Sequence, residues 1–305
     1  MTTAPSTFRV PLPDTLVDLL GKRVIDLPAA ELDGALLRDE AGAAYDRVRA
    51  ESPEAQIVVR RCRDLLNDPD GDGFAVLEVG PLLDHYGLVD GQKAATILLS
   101  WLGRPLRPFD KEPLWRPLGT NLAVDPMRAT GVGYNPLHID VVNATEPPDY
   151  SALLCVRSDP RGEGYSLVSQ LRRAVDRLSE GERAFLAEEV FHGDAFSDLT
   201  GVGKEYAPFP VLDGLPASEG FVRFAATMLS DMNLHDPHTS AARALERELI
   251  AEQKKFPLGF GDLLVVNQHL CVHGREPLGG RQEEVPEERR RLLWQIFLRA
   301  MGADS

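Results

Sequence analysis

A histidine and an aspartate lie two positions apart inside the apolar run Pro-Leu-His-Ile-Asp-Val-Val at residues 136–142. The β-branched residues around His138 and Asp140 favour a strand. Residues i and i+2 of a strand point to the same face, so both side chains are predicted to enter one interior space. Burying a charge without a partner is costly, and a divalent metal ion is the partner that best accounts for both groups. The run therefore predicts a β fold that directs two metal ligands inward.

A second pattern lies far downstream, where Phe-Gly-Asp-Leu-Leu opens an apolar run at residues 260–267. His269, Cys271 and His273 follow, and they share one face if the strand continues. After a charged loop, arginines open a last apolar strand at residues 289–299. A His-x-Asp motif alone also fits a core histidine bonded to a carboxylate. The three features together are far more specific for a metal site.

The motifs PLHID, GDLLVVNQHLCVHGREP and RRLLWQIFLR resemble those of Fe(II)/2-oxoglutarate-dependent oxygenases of the clavaminate synthase-like group, within the taurine dioxygenase-like superfamily. The resemblance covers residues 136–299. It implies an α+β fold with a double-stranded β-helix (jelly-roll) core. It also implies that His138, Asp140 and His273 are the catalytic iron ligands.

The same resemblance implies that 2-oxoglutarate and O2 are co-substrates. Arg291 would form a two-pronged salt bridge with the distal carboxylate of 2-oxoglutarate, a contact that suits a planar guanidinium. Ser166 falls where the family usually has a threonine that assists this carboxylate. Arg275 is predicted either to contact the other end of the co-substrate or to form a salt bridge. Arg299 shares a strand face with Arg291 and is its alternative, although the family register favours Arg291.

The third ligand has an alternative in the sequence, because His269 and His273 would lie on the same side of a continuous strand. The family spacing favours His273. His269 is then a residue that supports the ligands or lines the substrate pocket, and Cys271 fills space in the strand. A zinc site that uses Cys271 is the other interpretation, and it leaves the co-substrate arginine without a role.

The resemblance implies that oxidative decarboxylation of 2-oxoglutarate to succinate and CO2 is coupled to C–H oxidation of a second substrate. Related halogenases carry Gly or Ala at the position of Asp140, so a carboxylate there predicts hydroxylation, desaturation or cyclisation. Relatives commonly hydroxylate amino acids, and the expected substrate is a small amino-acid-derived, peptide-derived or other specialised metabolite. The candidate substrate contacts are Asn135, Asn143, Arg223, Asp231 and His269.

Relatives that act on basic amino acids hold the substrate with an acidic residue near an Arg-Phe pair. In this sequence Ala and Thr follow Arg223-Phe224, which argues against a free arginine-like substrate. Asp231 is close enough in sequence to compensate, or it caps a helix or turn.

The composition defines the class of protein. The 305 residues are 43% hydrophobic and 26% charged, as in ordinary globular proteins. The formal net charge of −14 argues against a nucleic acid or an anionic membrane as partner. Three widely spaced cysteines do not suggest a disulfide framework, and with no signal-peptide layout they predict a cytoplasmic protein. A homodimer is compatible with this composition.

One oxygenase domain is expected over residues 1–305, with a helix-rich part at 1–110 packed on a jelly-roll core at 111–305. Apolar spacing predicts helices at 14–27, 31–51, 53–66 and 90–102, and helical insertions at 168–190 and 240–255. The third of these helices is predicted to have Ser52 as its N-cap and Pro53 as its first residue. Short β-branched runs predict strands at 74–79, 122–124, 138–143 and 152–157.

Two other functions are compatible with the inward His and Asp side chains. One is a non-catalytic jelly-roll protein that binds or senses a metal, and the other is a zinc hydrolase. Arg291 and Ser166 would have no role in either, so the oxygenase is favoured.

Overall fold

The computed structural model describes residues 8–24, 49–107, 113–144, 146–193, 207–213, 221–229, 232 and 235–301. Within them helices and strands are mixed along the chain, which confirms a fold of α and β elements. The strands are β1 (Arg9–Pro11), β2 (Phe74–Glu78), β3 (Gly103–Leu106), β4 (Arg116–Gly119), β5 (Asn135–His138), β6 (Tyr150–Arg157), β7 (Ser166–Gln170), β8 (Leu212–Asp213), β9 (Phe221–Val222), β10 (Lys254–Phe256), β11 (Asp262–Asn267), β12 (Cys271–Arg275) and β13 (Leu292–Ala300). The helices are α1 (Asp14–Val24), α2 (Pro53–Asn67), α3 (Gly80–Ser100), α4 (Leu171–Asp176), α5 (Glu180–Leu186) and α6 (Pro237–Glu252).

The strands form two main sheets. The larger sheet has seven strands in the order β1-β2-β11-β6-β13-β3, and β4 pairs with β13 on the same edge as β3. The smaller sheet has the order β10-β7-β12-β5, while β8 and β9 pair with each other. β12 is therefore central in the smaller sheet, with β5 and β7 on its two sides.

Both faces of the larger sheet are buried, because alternate residues of its strands enter different hydrophobic clusters. In β11, Leu263 and Val265 pack with helices α1, α2 and α3, whereas Leu264 and Val266 face the smaller sheet. Val168 of β7 and Cys271 of β12 join the second of these clusters from the smaller sheet. The two sheets thus face each other across an apolar layer.

The outer face of the smaller sheet is covered by the later helices. Leu167 of β7 and Val272 of β12 pack there with Leu171 of α4, Leu186 of α5 and Leu245 of α6. The order of layers is helices, larger sheet, smaller sheet, helices.

The predicted helical insertion at 168–190 is wrong at its start. Residues 166–170 form β7, which pairs with both β10 and β12, and helices α4 and α5 follow separately. The insertion predicted at 240–255 is displaced. Its helix α6 begins after the Asp236 cap, and residues 254–256 form β10. In both places a short strand adjoins a helix, and apolar spacing predicted the strand and the helix together as one helix.

The other boundaries vary in accuracy. Helix α2 begins after a Ser52 cap as predicted, since its hydroxyl accepts a hydrogen bond from the Ala55 backbone N–H. Helix α3 starts ten residues before the predicted position 90 and is kinked at Gly87, where φ is 75°. Residues 122–124 form a turn and not a strand. Most of the helix predicted at 31–51 and the end of the one at 14–27 lie outside the described residues.

None of the helices within the described residues combines the length and apolar character needed to cross a membrane. Cys62, Cys155 and Cys271 are buried free thiols.

Candidate metal centre

His138, Asp140 and His273 form a compact cluster in which the candidate ligand atoms all lie within 4.8 Å of one another. Asp140 Oδ2 lies 3.3 Å from His273 Nε2, and Asp140 Oδ1 lies 3.8 Å from His138 Nε2. The two imidazole rings are 4.5 Å apart between centroids. Two imidazoles and one carboxylate on one side of a site match the ligand set of non-haem iron centres.

Strand pairing places the two histidines side by side. His138 ends β5 and is the cross-strand partner of His273 in β12. Asp140 does not continue the strand, as the sequence had suggested, but lies in a turn after it. Val141 has φ of 57°, a left-handed conformation rare for a β-branched residue. The carboxylate therefore reaches the histidines through a turn held in an unusual backbone conformation.

Hydrogen bonding fixes which nitrogen of His138 is available. Its Nδ1 lies 2.7 Å from the carbonyl oxygen of Pro136, which can only accept, so Nδ1 carries the proton. Burial and then the neighbouring His273 lower the pKa of His138 to about 4, against the smaller effect of Asp140. The ring is neutral near pH 7, and its Nε2 lone pair is free for a metal ion.

Two glutamines that sequence reasoning missed hold Asp140. Gln295 Nε2 donates to Asp140 Oδ2 at 3.1 Å, and the Asp140 backbone N–H donates to Gln268 Oε1 at 2.5 Å. Burial raises the pKa of the Asp140 carboxyl, but the two histidines and Ser151 outweigh it and the pKa lies below its usual value. The carboxylate is charged and oriented.

Two buried arginine side chains lie beside this cluster. Arg291 and Arg275 are 8% and 3% exposed, and no described carboxylate lies within ion-pair distance of either guanidinium. Burial lowers the pKa of Arg291 to about 10, and burial together with Arg291 lowers that of Arg275 to about 9. Asp159 is near enough to oppose these shifts by its charge, but it forms no ion pair with either guanidinium. Two arginines that are still charged at neutral pH and form no ion pair with a described carboxylate favour an anionic ligand beside the cluster.

One pocket contains both the His-Asp-His cluster and the two buried arginines. Ser166 of β7 and Asn135 of β5 flank Arg275 across the smaller sheet. The lining residues come from both sheets and from the loop before β5: Leu118, Ala129, Asn135, His138, Asp140, Leu153, Ser166, His273, Gly274, Arg275, Arg291, Leu293 and Gln295.

Arg299 and His269 do not line this pocket. Arg299 donates to the carbonyls of Glu146 and Pro147 and to Asp149, so its guanidinium is already satisfied. His269 lies in the turn between β11 and β12, and its Nε2 is 2.5 Å from Asp149 Oδ1. The strand assumed to carry His269, Cys271 and His273 together is broken at that turn.

The remaining candidate substrate contacts differ in position. Arg223 pairs with Asp213 at 2.9 Å and donates to the carbonyl of Ala144, and Asn143 accepts from the Gly193 backbone N–H. Neither side chain is among the pocket-lining residues. Asp231 lies outside the described residues.

One protein family and two characterised proteins are similar to this chain in sequence. The family model described as taurine catabolism dioxygenase TauD, TfdA family, matches residues 119–296, which contain the cluster and both arginines. An L-lysine 3-hydroxylase of Catenulispora acidiphila is 25% identical over 55% of this chain and 46% of its own length. An L-asparagine oxygenase of Streptomyces coelicolor is 29% identical over 42% of this chain and 38% of its own length. Each alignment thus spans less than half of the curated relative.

Solved structures of similar fold cover nearly the whole chain. An asparagine oxygenase in complex with Fe(II), 3-hydroxyasparagine and succinate has a TM-score of 0.78 at 22% identity, covering 95% of this chain and 93% of its own. The non-haem iron oxygenase OrfP in complex with Fe and α-ketoglutaric acid has a TM-score of 0.71 at 19% identity, covering 97% and 95%.

Proposed function

Because the chain belongs to the TauD, TfdA family of dioxygenases, we propose that it is an Fe(II)/2-oxoglutarate-dependent oxygenase. In this proposal it couples decarboxylation of 2-oxoglutarate to succinate with hydroxylation of a small amino-acid-derived substrate. The observation that carries the proposal is a pair of buried arginines that form no ion pair with any described carboxylate and that share one pocket with a His-Asp-His cluster.

The donor set fits both proposed groups. Nε2 of His138, the Asp140 carboxylate and the His273 imidazole would hold Fe(II), leaving positions for other ligands. Arg291 would bind the distal carboxylate of 2-oxoglutarate with assistance from the buried Ser166 hydroxyl. The Nη1 and Nη2 groups of Arg275 donate to the carbonyls of Glu276 and Gly131, whereas its buried Nε has no partner. Arg275 would therefore contribute Nε–H and positive charge to the co-substrate.

The protein's own part in the reaction is to bind, orient and exclude water. When bound, Fe(II) supplies the oxygen chemistry that amino-acid side chains lack. Leu118, Leu153 and Leu293 are apolar residues of the pocket lining and would limit water around the co-substrate. Gln295 holds the Asp140 carboxylate, and the Pro136 carbonyl fixes the tautomer of His138.

The other two functions account for less of the pocket. A zinc hydrolase needs an activated water but not two arginines facing the metal site. Cys271, the thiol considered for such a site, lies in the apolar layer between the sheets and not among the pocket-lining residues. A metal sensor could use the three ligands, yet it would bury two guanidinium charges that form no ion pair with a described carboxylate, at a cost in stability.

We propose an amino acid or a close derivative as the substrate, because the similar proteins are an L-lysine 3-hydroxylase, an L-asparagine oxygenase and an oxygenase, OrfP, whose structure holds dihydroxy-L-arginine. Asn135 is the candidate contact that lines the pocket among the described residues. Asn143, Arg223, Asp231 and His269 stay predictions for the substrate site.

The finer features of fold and location belong to the same proposal. The two facing sheets would form the double-stranded β-helix core, within one oxygenase domain over residues 1–305. In support, helices α1, α2 and α3 share one hydrophobic cluster with the strands of the larger sheet. A cytoplasmic location and a homodimer stay predictions from composition.

The direct test is turnover of 2-oxoglutarate. Purified protein with Fe(II), 2-oxoglutarate and air should form succinate slowly, and faster when the correct member of a panel of L-amino acids is added. His273→Ala should abolish both rates, and Zn(II) should not replace Fe(II). No succinate from an iron-loaded protein across the panel would contradict the oxygenase, and 2-oxoglutarate-independent hydrolysis with Zn(II) would support a hydrolase.

A further inference from the structure

We propose that Gln268 and Gln295 are positioning residues that hold Asp140 in the orientation required for metal binding. This inference rests on the proposed function, since it assumes that Asp140 is a metal ligand. Gln268 is fully buried and Gln295 is 4% exposed. Neither belongs to the ligand set, and each contacts Asp140 at a different group.

Gln295 acts on the carboxylate. It is the fourth residue of β13, in the larger sheet, whereas Asp140 follows β5 of the smaller sheet. Its Nε2 lies 3.1 Å from Asp140 Oδ2 and 3.3 Å from Ser151 Oγ. A carboxylate oxygen can only accept, so the amide must present its N–H2 to Asp140. A donor held on one oxygen restricts rotation of the carboxylate and stabilises its charged form.

Gln268 acts on the backbone of the same residue. Its Oε1 accepts from the Asp140 N–H at 2.5 Å, while its own Nε2 donates to the Pro148 carbonyl at 2.8 Å. Gln268 is therefore fixed at both ends of its amide. The turn that carries Asp140 includes Val141 at φ 57°, a conformation that persists only when its surroundings hold it. The Gln268 bond supplies part of that restraint.

Together the two amides fix Asp140 at two groups, one in the main chain and one in the side chain. Groups that orient a ligand from outside the ligand set commonly change metal affinity by about 10- to 100-fold when removed. A merely structural role would lower stability and leave metal affinity unchanged. These two outcomes can be separated by measuring both quantities on the same variants.

The test measures Co(II) affinity by calorimetry, together with the Tm of the metal-free protein. Gln295→Leu and Gln268→Leu should each weaken Co(II) binding roughly 10- to 100-fold. Gln268→Glu keeps an oxygen acceptor for the Asp140 N–H but loses the amide donor to the Pro148 carbonyl, so it should weaken Co(II) binding less than Gln268→Leu does.

Gln282→Leu is the matched control for loss of a buried glutamine. Gln282 is 4% exposed and bonds Asp159 and Gly279 away from the cluster. It should lower Tm without changing Co(II) affinity. Unchanged affinity in both leucine variants of Gln268 and Gln295 would overturn the inference while leaving the proposed function intact. Absence of Co(II) and Fe(II) binding by wild type would overturn both.

Discussion

Substitution of Arg291 should weaken binding of the co-substrate but not binding of the metal. Its guanidinium is buried and has no acidic partner among the described residues. Arg291→Ala should weaken 2-oxoglutarate binding by about 3 kcal/mol, roughly 100-fold, because truncating one partner of a buried charge pair costs this much. Fe(II) affinity should persist. Calorimetric titration of the iron-loaded variant with 2-oxoglutarate, without oxygen, measures the change.

Arg299→Ala is the control for that experiment. Arg299 lies in β13, the strand that Arg291 immediately precedes, but its guanidinium is bonded to Asp149 and to the carbonyls of Glu146 and Pro147. Its loss should leave 2-oxoglutarate affinity within about 2-fold of wild type, as for residues that make no contact with a ligand. If Arg299→Ala weakened 2-oxoglutarate binding and Arg291→Ala did not, Arg299 and not Arg291 would bind the co-substrate.

The sequence predicted which residues meet at the site better than it predicted how they meet. His138, Asp140, His273, Ser166 and Arg291 share one pocket, although their roles stay predictions. The turn at Asp140 was not predicted, because nothing in the residues 140–142 indicates a left-handed backbone.

Gln295 could have been found from the sequence. Positions 291, 293 and 295 alternate along a strand that is otherwise apolar, so a glutamine in phase with the arginine signals a buried polar contact. Gln268 gives no such signal, since it lies in a turn whose contacts come from distant parts of the chain.

At the scale of elements, His238 links two helices in a manner that depends on pH. In the first turn of α6, its Nε2 is 3.0 Å from Glu188 Oε2, just after α5, and its Nδ1 is 3.0 Å from Asp236 Oδ1. Glu188 and then Asp236 raise the pKa of His238. A raised folded-state pKa gives stability that is present below the unfolded value of about 6.5 and is lost as pH rises through the folded value.

His238→Gln should therefore lower Tm relative to wild type at about pH 5.5, where wild-type imidazole is charged. The difference in Tm between the variant and wild type should be smaller at about pH 8.5, where the imidazole is neutral. Thermal unfolding followed by circular dichroism measures both. An equal decrease at the two pH values would show that the imidazolium does not provide the stabilisation.

Element boundaries were hardest to predict where a short strand adjoins a helix. Residues 166–170 (β7) and 254–256 (β10) are strands only because they pair with each other and because β7 also pairs with β12. Those partners are distant in sequence, and local periodicity cannot show them. Helix α2, in contrast, carries its own Ser-Pro start signal and was predicted closely.

At the scale of the whole molecule, the apolar layer between the sheets supports the site. Leu264 is 1% exposed in that layer. Leu264→Ala should lower the free energy of unfolding by about 3 kcal/mol through lost burial and a cavity. Ile57→Ala is the control, because Ile57 is 60% exposed and its truncation should change stability by less than about 0.5 kcal/mol. Urea denaturation compares them, and equal effects would contradict the layered arrangement.

The mixed α and β character of the molecule followed from the sequence because amphipathic helices and β-branched runs alternate along the chain. The order of the strands did not, since β2 near the start pairs with β11 near the end. Sheet order depends on such long-range pairs, which one sequence does not encode in any local pattern.

The proposed function requires that the cluster bind iron and, beside it, a chelating 2-oxo acid. Both can be tested together by adding Fe(II) and then 2-oxoglutarate in the absence of oxygen and recording the visible spectrum. We expect a weak charge-transfer band that requires both additions and is absent in His138→Ala. An iron-loaded wild-type protein that shows no band, or a band that survives in His138→Ala, would contradict this proposal.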